Sequence, residues 1–374
     1  MSNKQYTAIT LDTSIFDGNR LLLEKGLLGK LIQFKNSKVK FVLTDIVVHE
    51  LKKHLDEKIK ASKLSLEKSI EDAREHLFFE GSELNEAKEK ILEGKNTEDL
   101  ARSRVDNFIE STGAQVLDSG SYVSVSELRD KYFNNEAPFA ATGKKKHEFP
   151  DAIALMALES WADENDEKIY AVAKDKDWES YCEELECIDY FEDLSKALDH
   201  FNRHNIPSDV IGRLESAISD KTAMKFIQEL GRGLEDYYSS LIIDQECDSP
   251  LNWEPEGVNI SFTDFNFSED ELQIINSDHD SIIIEAYLNV DLDIEGEFSL
   301  YQYDSIDRDN IYMGSVSPTV SQNFEETVLI TVSGDLEKAK ADPDELEIVD
   351  VEVLRKNRTV HFGYLEPEIE PDYD

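Results

Sequence analysis

Short apolar runs and helical stretches alternate over the N-terminal half of the chain. Buried strands are predicted at residues 8–11 and 39–43, a strand-like run follows at residues 114–117, and a further buried strand is predicted at residues 169–173. Between the second and third of these runs, apolar positions recur with helical spacing at residues 45–76 and again at 97–111. Thr44 is placed to cap the first helix, and Gly113 to end the second. This alternation is typical of an α/β fold.

The clearest helix signal in the chain begins at Pro150, a residue that is favoured in the first turn of a helix. The strand predicted next, at residues 169–173, leads directly into Asp175. Strands and helices that alternate with short links predict a doubly wound parallel sheet, with ligands beyond the carboxyl ends of its strands. Asp12, which follows the first strand, and Asp175 are both expected at that edge.

The C-terminal part changes from helical periodicity to a two-residue repeat. Residues 207–240 have a helical pattern, and residues 247–257 are expected to form a linker. From Ile282 to Ile294 every even position is apolar, as in a strand with one buried face. Shorter alternating runs follow, and together they predict an antiparallel β-sandwich or small barrel of about five or more strands.

This pattern divides the chain into four predicted segments. They are an α/β domain (1–205), a helical connector with a linker (206–254), an acidic β-rich domain (255–365) and a disordered tail (366–374).

The acidic character is concentrated in the C-terminal part. The whole chain has a formal net charge of −42. Residues 1–150 hold 24 basic and 25 acidic side chains, whereas residues 206–374 hold 10 basic and 40 acidic ones, a net charge of −30. Nucleic-acid affinity comes largely from Lys and Arg side chains that displace counterions from phosphates. Any nucleic acid is therefore expected to bind the N-terminal part.

Several negative observations narrow the class of protein. No apolar run approaches the roughly 18 to 20 residues of a membrane span, and the first residues lack the pattern of a secretion signal. The three cysteines form an odd set without metal-ligand spacing, which argues against a disulfide framework and against a zinc site. We therefore expect a cytoplasmic protein that makes no membrane contact.

Acidic residues stand at the positions where a doubly wound sheet places its chemistry. Asp12 ends the first strand, and Glu50 lies on the helix after the second. Asp151 belongs to the first turn of its helix, and Asp175, followed by Asp177, comes after the strand at 169–173. In order and context these motifs resemble the PIN-domain nucleases over about residues 6–200. The segment 148–152, with the sequence EFPDA, is especially similar to a larger bacterial branch of that family.

The resemblance implies a metal-dependent ribonuclease that leaves 5′ phosphates. Asp12, Glu50, Asp151 and Asp175 would be the catalytic residues and would hold Mg²⁺ or Mn²⁺, with Asp177 as an additional ligand. Such hard cations prefer oxygen ligands, relieve the repulsion between carboxylates, and organise phosphate oxygens and an attacking water. Relatives act as toxins of toxin–antitoxin modules, in RNA turnover or in antiviral defence, so a toxin or defence role is a further hypothesis.

Substrate contacts are expected from small hydroxyl residues and from a basic run. These residues are Thr13, Ser14, Lys144, Lys145 and Lys146. The sequence departs from the family two residues before the fourth acid, where a Ser or Thr is common and this chain has Ala173. That departure weakens the inference of activity more than the inference of fold.

Other interpretations of the same residues stay open. The acids could be structural helix caps, an explanation that suits Asp151 beside a helix start. The fold could be catalytically inactive and bind a protein partner or inhibitor through the acidic C-terminal domain. A structure-specific DNA nuclease would use the same carboxylates. The expected partners are thus RNA, with DNA as the alternative, a protein at the acidic domain, and a second copy of the chain.

Overall fold

The structure, a computed structural model, describes residues 6–77, 86, 89–90, 96–139, 149–183, 185–269, 271–306, 308–354 and 358–367. Contacts between Cα atoms divide the chain into two units, Met1–Ala197 and Leu198–Asp374. Within the described ranges, no helix is both long and apolar enough to cross a membrane.

The first unit is built on a five-stranded sheet with the order β3-β2-β1-β4-β5, in which every neighbouring pair is parallel. The strands are β1 (Ala8–Leu11), β2 (Lys40–Thr44), β3 (Gln115–Leu117), β4 (Ile169–Val172) and β5 (Ile188–Phe191). The helices are α1 (Thr13–Gly18), α2 (Gly26–Gly29), α3 (Asp45–Leu77), α4 (Thr97–Thr112), α5 (Ser119–Tyr122), α6 (Val125–Asn134), α7 (Phe149–Asn165) and α8 (Lys176–Cys182). A 3-10 helix at Lys30–Asn36 precedes β2. The predicted α/β fold is confirmed.

The central strands β1 and β4 are buried along their whole length. All four residues of β1 and all four of β4 are buried, because helices cover both faces of the sheet. In register, Thr10 of β1 lies between Val42 of β2 and Ala171 of β4. The carboxyl ends of β1 and β4 therefore meet at the centre of one sheet edge, where Asp12 and Asp175 follow them.

The helix boundaries follow local signals in the sequence. The Thr44 hydroxyl accepts a hydrogen bond from the Val47 N–H at 3.3 Å, and α3 begins at the residue after Thr44, as predicted. At the other end of the segment, Gly113 ends α4 with a φ of +69°, a left-handed conformation that disfavours other residues. A Cβ there would also stand 3.0 Å from the Lys35 Cα.

The second unit combines helices with mainly antiparallel strands. Its helices are α10 (Asn205–Ser219), α11 (Met224–Ser239) and the short α12 (Leu336–Ala339), while α9 (Leu194–Asn202) runs across the boundary between the units. Its strands are β6 (Asp244–Asp248), β7 (Asn252–Phe267), β8 (Gln273–Ser277), β9 (Ser281–Asp304), β10 (Asp309–Val316), β11 (Thr319–Gly334), β12 (Leu346–Val353) and β13 (Thr359–Tyr364). A 3-10 helix at Pro343–Glu345 precedes β12.

The long strand β9 organises the antiparallel sheet of this unit. It pairs with β7, β8, β10 and β11, and β12 then pairs with β11. The predicted alternation is present, since the even positions from Ile282 to Ile294 are all buried. These side chains form one apolar core with residues of α10 and α11 such as Leu214 and Leu230. At Gly233 of α11 a Cβ would stand only 2.6 Å from Val351 of β12, so the helix lies close against the sheet.

Two predictions for this part of the chain are corrected. Residues 247–257 are not a linker, because they include the end of β6 and the start of β7. The helices of residues 206–239 are not a separate connector, since they supply part of the core of the second unit. Helices therefore cover the apolar side of one curled antiparallel sheet. The predicted disordered tail, residues 366–374, lies outside the described residues except for its first two positions.

A buried ion pair lies inside the second unit. Glu326 of β11 is 2% exposed, and its carboxylate contacts the Arg358 guanidinium and accepts a hydrogen bond from the Tyr238 hydroxyl of α11. The guanidinium also lies over the Phe324 ring, 4.2 Å from its centroid. Buried charges need such partners, because removal from water is costly for each ion taken alone.

Candidate metal and active site

Asp12 lies at the centre of the sheet's carboxyl edge. Its backbone N–H donates to the Val172 carbonyl at 2.9 Å, which extends the pairing of β1 with β4 by one residue. Its carboxylate accepts a hydrogen bond from the Ser14 backbone N–H at 3.0 Å and so caps α1. The residue is only 6% exposed. The fold thus holds the Asp12 carboxylate in a nearly enclosed position that keeps a small exposed fraction.

Glu50 reaches the same edge from α3, the helix that follows β2. The Thr13 hydroxyl donates a hydrogen bond of 2.8 Å to the Glu50 carboxylate. One turn further along both helices, His54 Nδ1 lies 3.0 Å from the Asp17 carboxylate. Each contact joins a residue of α1 to the residue of α3 that lies 37 positions later in the sequence. The two contacts together hold α1 beside α3. Glu50 is therefore held toward the start of α1, where Asp12 stands.

Asp151 and Asp175 complete the set from α7 and from the loop after β4. Asp151 belongs to the first turn of α7, where a negative charge interacts favourably with the helix dipole. Asp175 is exposed, and its carboxylate accepts a hydrogen bond of 2.8 Å from the Asp177 N–H at the start of α8. Asp177 itself is 5% exposed. Four carboxylates thus arrive from four different segments of the chain.

Burial and neighbouring negative charge raise the pKa values of two carboxylates of this set, Asp12 and Asp151. Burial, together with the charges of Asp12, Glu50 and Asp175, raises the pKa of Asp151 to about 6. Burial also raises the pKa of Asp12, and the charge of Glu50 adds to that rise, although hydrogen bonds from Ser14 and Thr13 oppose it. The site is therefore an electrostatically strained group of acids.

The raised pKa of Asp151 makes the stability of the folded protein depend on pH. A carboxyl whose pKa is raised by folding binds its proton more tightly in the folded than in the unfolded protein. For Asp151 the contribution to stability is therefore greatest at low pH and is lost as pH rises from about 4 to about 6. A bound cation would offset that loss, because it stabilises the charged form.

Trp178 of α8 is a neighbour of this group that the sequence analysis did not single out. The ring is fully buried, and its indole nitrogen forms no well-aligned hydrogen bond with any described residue. The indole N–H nevertheless lies close enough to Asp151 to lower the pKa of that carboxyl. We interpret the contact as a long N–H to carboxylate interaction that orients Asp151. Its only sequence signal is the position of an aromatic residue after Asp177.

The donor set fits a hard divalent cation. Every side chain in the cluster offers carboxylate oxygens, the ligands that Mg²⁺ and Mn²⁺ prefer. Across the described part of the chain, no three His, Cys, Asp or Glu residues converge closely enough to form a ready metal cage. The carboxylates of Asp12 and Asp175 accept hydrogen bonds from backbone N–H groups, and that of Glu50 accepts one from the Thr13 hydroxyl.

The predicted substrate-binding residues fall into two groups. The hydroxyls of Thr13 and Ser14 are engaged within the site, the first with Glu50 and the second as acceptor from the Lys174 backbone N–H at 3.0 Å. Ser14 thereby links α1 to the loop after β4. The basic run Lys144, Lys145 and Lys146 lies outside the described residues. Ala173, where the family often has a hydroxyl, is fully buried.

Comparison with known proteins agrees with this arrangement. A family model described as PIN domain matches residues 9–178, a stretch that contains all four acids. No curated protein and no solved structure matches the chain. PIN domains are generally nucleases, and they generally use divalent metals. The match over residues 9–178, together with the parallel α/β sheet, shows that the N-terminal unit of this chain carries a PIN domain.

Proposed function

We propose that this protein is a metal-dependent endoribonuclease whose active site consists of Asp12, Glu50, Asp151 and Asp175. What supports the proposal is the approach of four acids from separate segments to one edge of a PIN-domain sheet, where burial and then the charges of Asp12, Glu50 and Asp175 raise the pKa of Asp151. Structural caps do not require such convergence. Capping explains the hydrogen bonds made by Asp12 and Asp175, but it does not explain why the charges of Glu50 and Asp12 also act on Asp151.

The protein's own residues hold the carboxylates before any substrate arrives. Thr13 donates a hydrogen bond to Glu50, Trp178 lies near Asp151, and Ser14 joins the segments that carry Asp12 and Asp175. Because Asp12 and Thr13 are nearly enclosed, the apolar walls of the sheet exclude water from one side of the site. Fixed charges in a partly dry site act more strongly on a bound phosphate than they would in open water.

The four carboxylates would hold Mg²⁺ or Mn²⁺, with Asp177 close by as an additional acid. When bound, such a cation supplies a Lewis acid for the phosphate oxygens and lowers the pKa of the attacking water. The carboxylates bring the cation to the site and limit where it can stand. RNA is the proposed substrate, and the expected products carry a 5′ phosphate.

The proposal is tested with matched oligonucleotides. Full-length protein with Mn²⁺ should cut a labelled single-stranded RNA internally, and it should leave single-stranded DNA of the same sequence largely intact. The measurement is the length and 5′ end chemistry of the products on a denaturing gel. Preferential cutting of DNA would make the protein a DNA nuclease. Stable binding to RNA or protein without any cutting would support an inactive interaction module instead.

A further inference from the structure

Lys174 occupies a distinctive place at the edge of the carboxylate site. It lies in the loop after β4, immediately before Asp175, and its side chain is exposed. Its backbone N–H donates to the Ser14 hydroxyl of α1 at 3.0 Å, so the start of this side chain is fixed relative to Asp12. The loop that supplies one acid of the site therefore also supplies a cation.

The ammonium of Lys174 folds back over α1 rather than extending away from the protein. At Gly18, the last residue of α1, a Cβ would stand only 3.2 Å from the Lys174 Nζ. The glycine leaves room for the ammonium at this end of the helix. Gly18 has no left-handed backbone conformation, so the space, and not the backbone, is what the glycine provides.

Across the described residues, the Lys174 ammonium has neither an ion-pair partner nor a hydrogen-bond partner. Asp17, the acid nearest in sequence to Gly18, contacts His54 Nδ1 at 3.0 Å. Asp175, the next residue in the chain, accepts its hydrogen bond from the Asp177 N–H. The chain has 81 acidic and 39 basic residues, so acidic partners for a lysine are abundant. An unpaired ammonium next to the cluster of carboxylates is therefore unusual.

We propose that Lys174 binds a backbone phosphate of the substrate strand next to the scissile bond. This inference rests on the proposed nuclease function and adds a substrate-binding residue to it. The carboxylates repel a polyanion, whereas an ammonium at the rim attracts one and directs a phosphate toward the site. Lysine suits this task, since it acts as a mobile point charge that does not need a fixed bidentate geometry.

The ionic-strength dependence of RNA binding reports such a contact directly. Each phosphate neutralised on a single strand contributes about 0.7 to the slope of log affinity against log salt. Lys174→Gln should lower that slope by about 0.7 and weaken binding about three- to tenfold at low salt. Lys176→Gln is the matched control, since Lys176 is also exposed and only two positions away, but it lies at the start of α8 beyond Asp175.

The experiment uses full-length protein with Mg²⁺ and a fluorescein-labelled single-stranded RNA, followed by anisotropy over a series of KCl concentrations. All binding variants also carry Asp12→Asn so that the RNA stays intact. Gly18→Ala is the third variant, because its methyl group should displace the ammonium without removing a charge. It should weaken binding less than Lys174→Gln, and it should have no additional effect once Lys174 is Gln.

The outcomes separate this inference from the proposed function. A lower slope for Lys174→Gln alone, with the Gly18→Ala effect dependent on Lys174, supports a specific phosphate contact. Equal slopes for the Lys174 and Lys176 variants would overturn it while leaving the nuclease proposal intact, provided that the protein without substitutions cuts RNA. Failure of that protein both to bind and to cut RNA would overturn both.

Discussion

Asp12→Asn should abolish RNA cleavage, with a loss of at least about 10³-fold, while leaving the metal-free protein as stable as the wild type or more stable. The loss follows because, in the proposed site, several kcal/mol of metal-derived stabilisation depend on Asp12 as the central ligand. The retained stability follows from two features of the fold. Asn caps a helix about as well as Asp, so the bond to the Ser14 N–H can be kept. The neutral side chain also removes a buried charge that faces Glu50 and Asp151.

Thermal melting in chelator and in Mn²⁺, together with a cleavage assay, measures both halves of this prediction. Wild-type protein should gain stability from Mn²⁺, since the ion binds the folded state, and the variant should gain much less. Asp106→Asn on α4 is the control, because Asp106 is an exposed acid that pairs with Lys52 at 2.7 Å. If Asp12→Asn is destabilised by about 1 kcal/mol in chelator, keeps its Mn²⁺ response and still cuts RNA, Asp12 is a structural cap.

The largest effect on stability is expected in the second unit, at the buried pair of Glu326 and Arg358. Glu326→Leu should destabilise this unit by about 3 to 5 kcal/mol, because it leaves the guanidinium buried without its carboxylate. The Tyr238 hydroxyl would lose its acceptor at the same time. Replacing both charges, as Glu326→Leu with Arg358→Met, should recover most of that loss, since no uncompensated ion remains.

Urea denaturation of the full-length variants provides the measurement. The two units need not unfold together, so the transition of the second unit should shift while that of the first stays in place. RNA cleavage serves as the control, because no residue of the proposed active site is changed. A double variant that is no more stable than Glu326→Leu alone would show that the side chains matter for packing and hydrogen bonds rather than as a charge pair.

The N-terminal fold could be predicted because its sequence signals are local and agree with one another. Apolar runs of four or five residues mark the strands, and Thr44 and Gly113 mark helix ends as simple capping rules require. Since parallel strands end at the same sheet edge, Asp12 and Asp175 could be assigned to that edge without a structure. The orientation of their side chains at that edge could not be predicted, because it depends on contacts between residues far apart in sequence.

Trp178 illustrates that limit in the site. Its indole approaches Asp151 across 27 positions of sequence, and an aromatic residue at the start of α8 is equally well explained as core. The second unit shows a different limit. Residues 247–257 include Pro255 and Gly257, which favour a linker, but a β-bulge in the pairing of β7 with β9 accommodates them within a strand. Alternation likewise reveals one buried face, but it does not show whether a second sheet or helices cover it.

The central claim is that a cluster of carboxylates forms a divalent-metal nuclease site. It is tested most directly by measuring RNA cleavage after the metal has been removed with chelator, and again after the metal has been restored. Wild-type protein is freed of metal with chelator and then incubated with labelled single-stranded RNA. We predict no cleavage in chelator, full cleavage when Mg²⁺ or Mn²⁺ is restored in excess, and no rescue by Zn²⁺, because oxygen ligands in this number suit hard octahedral ions. Undiminished cleavage after exhaustive chelation would contradict the account.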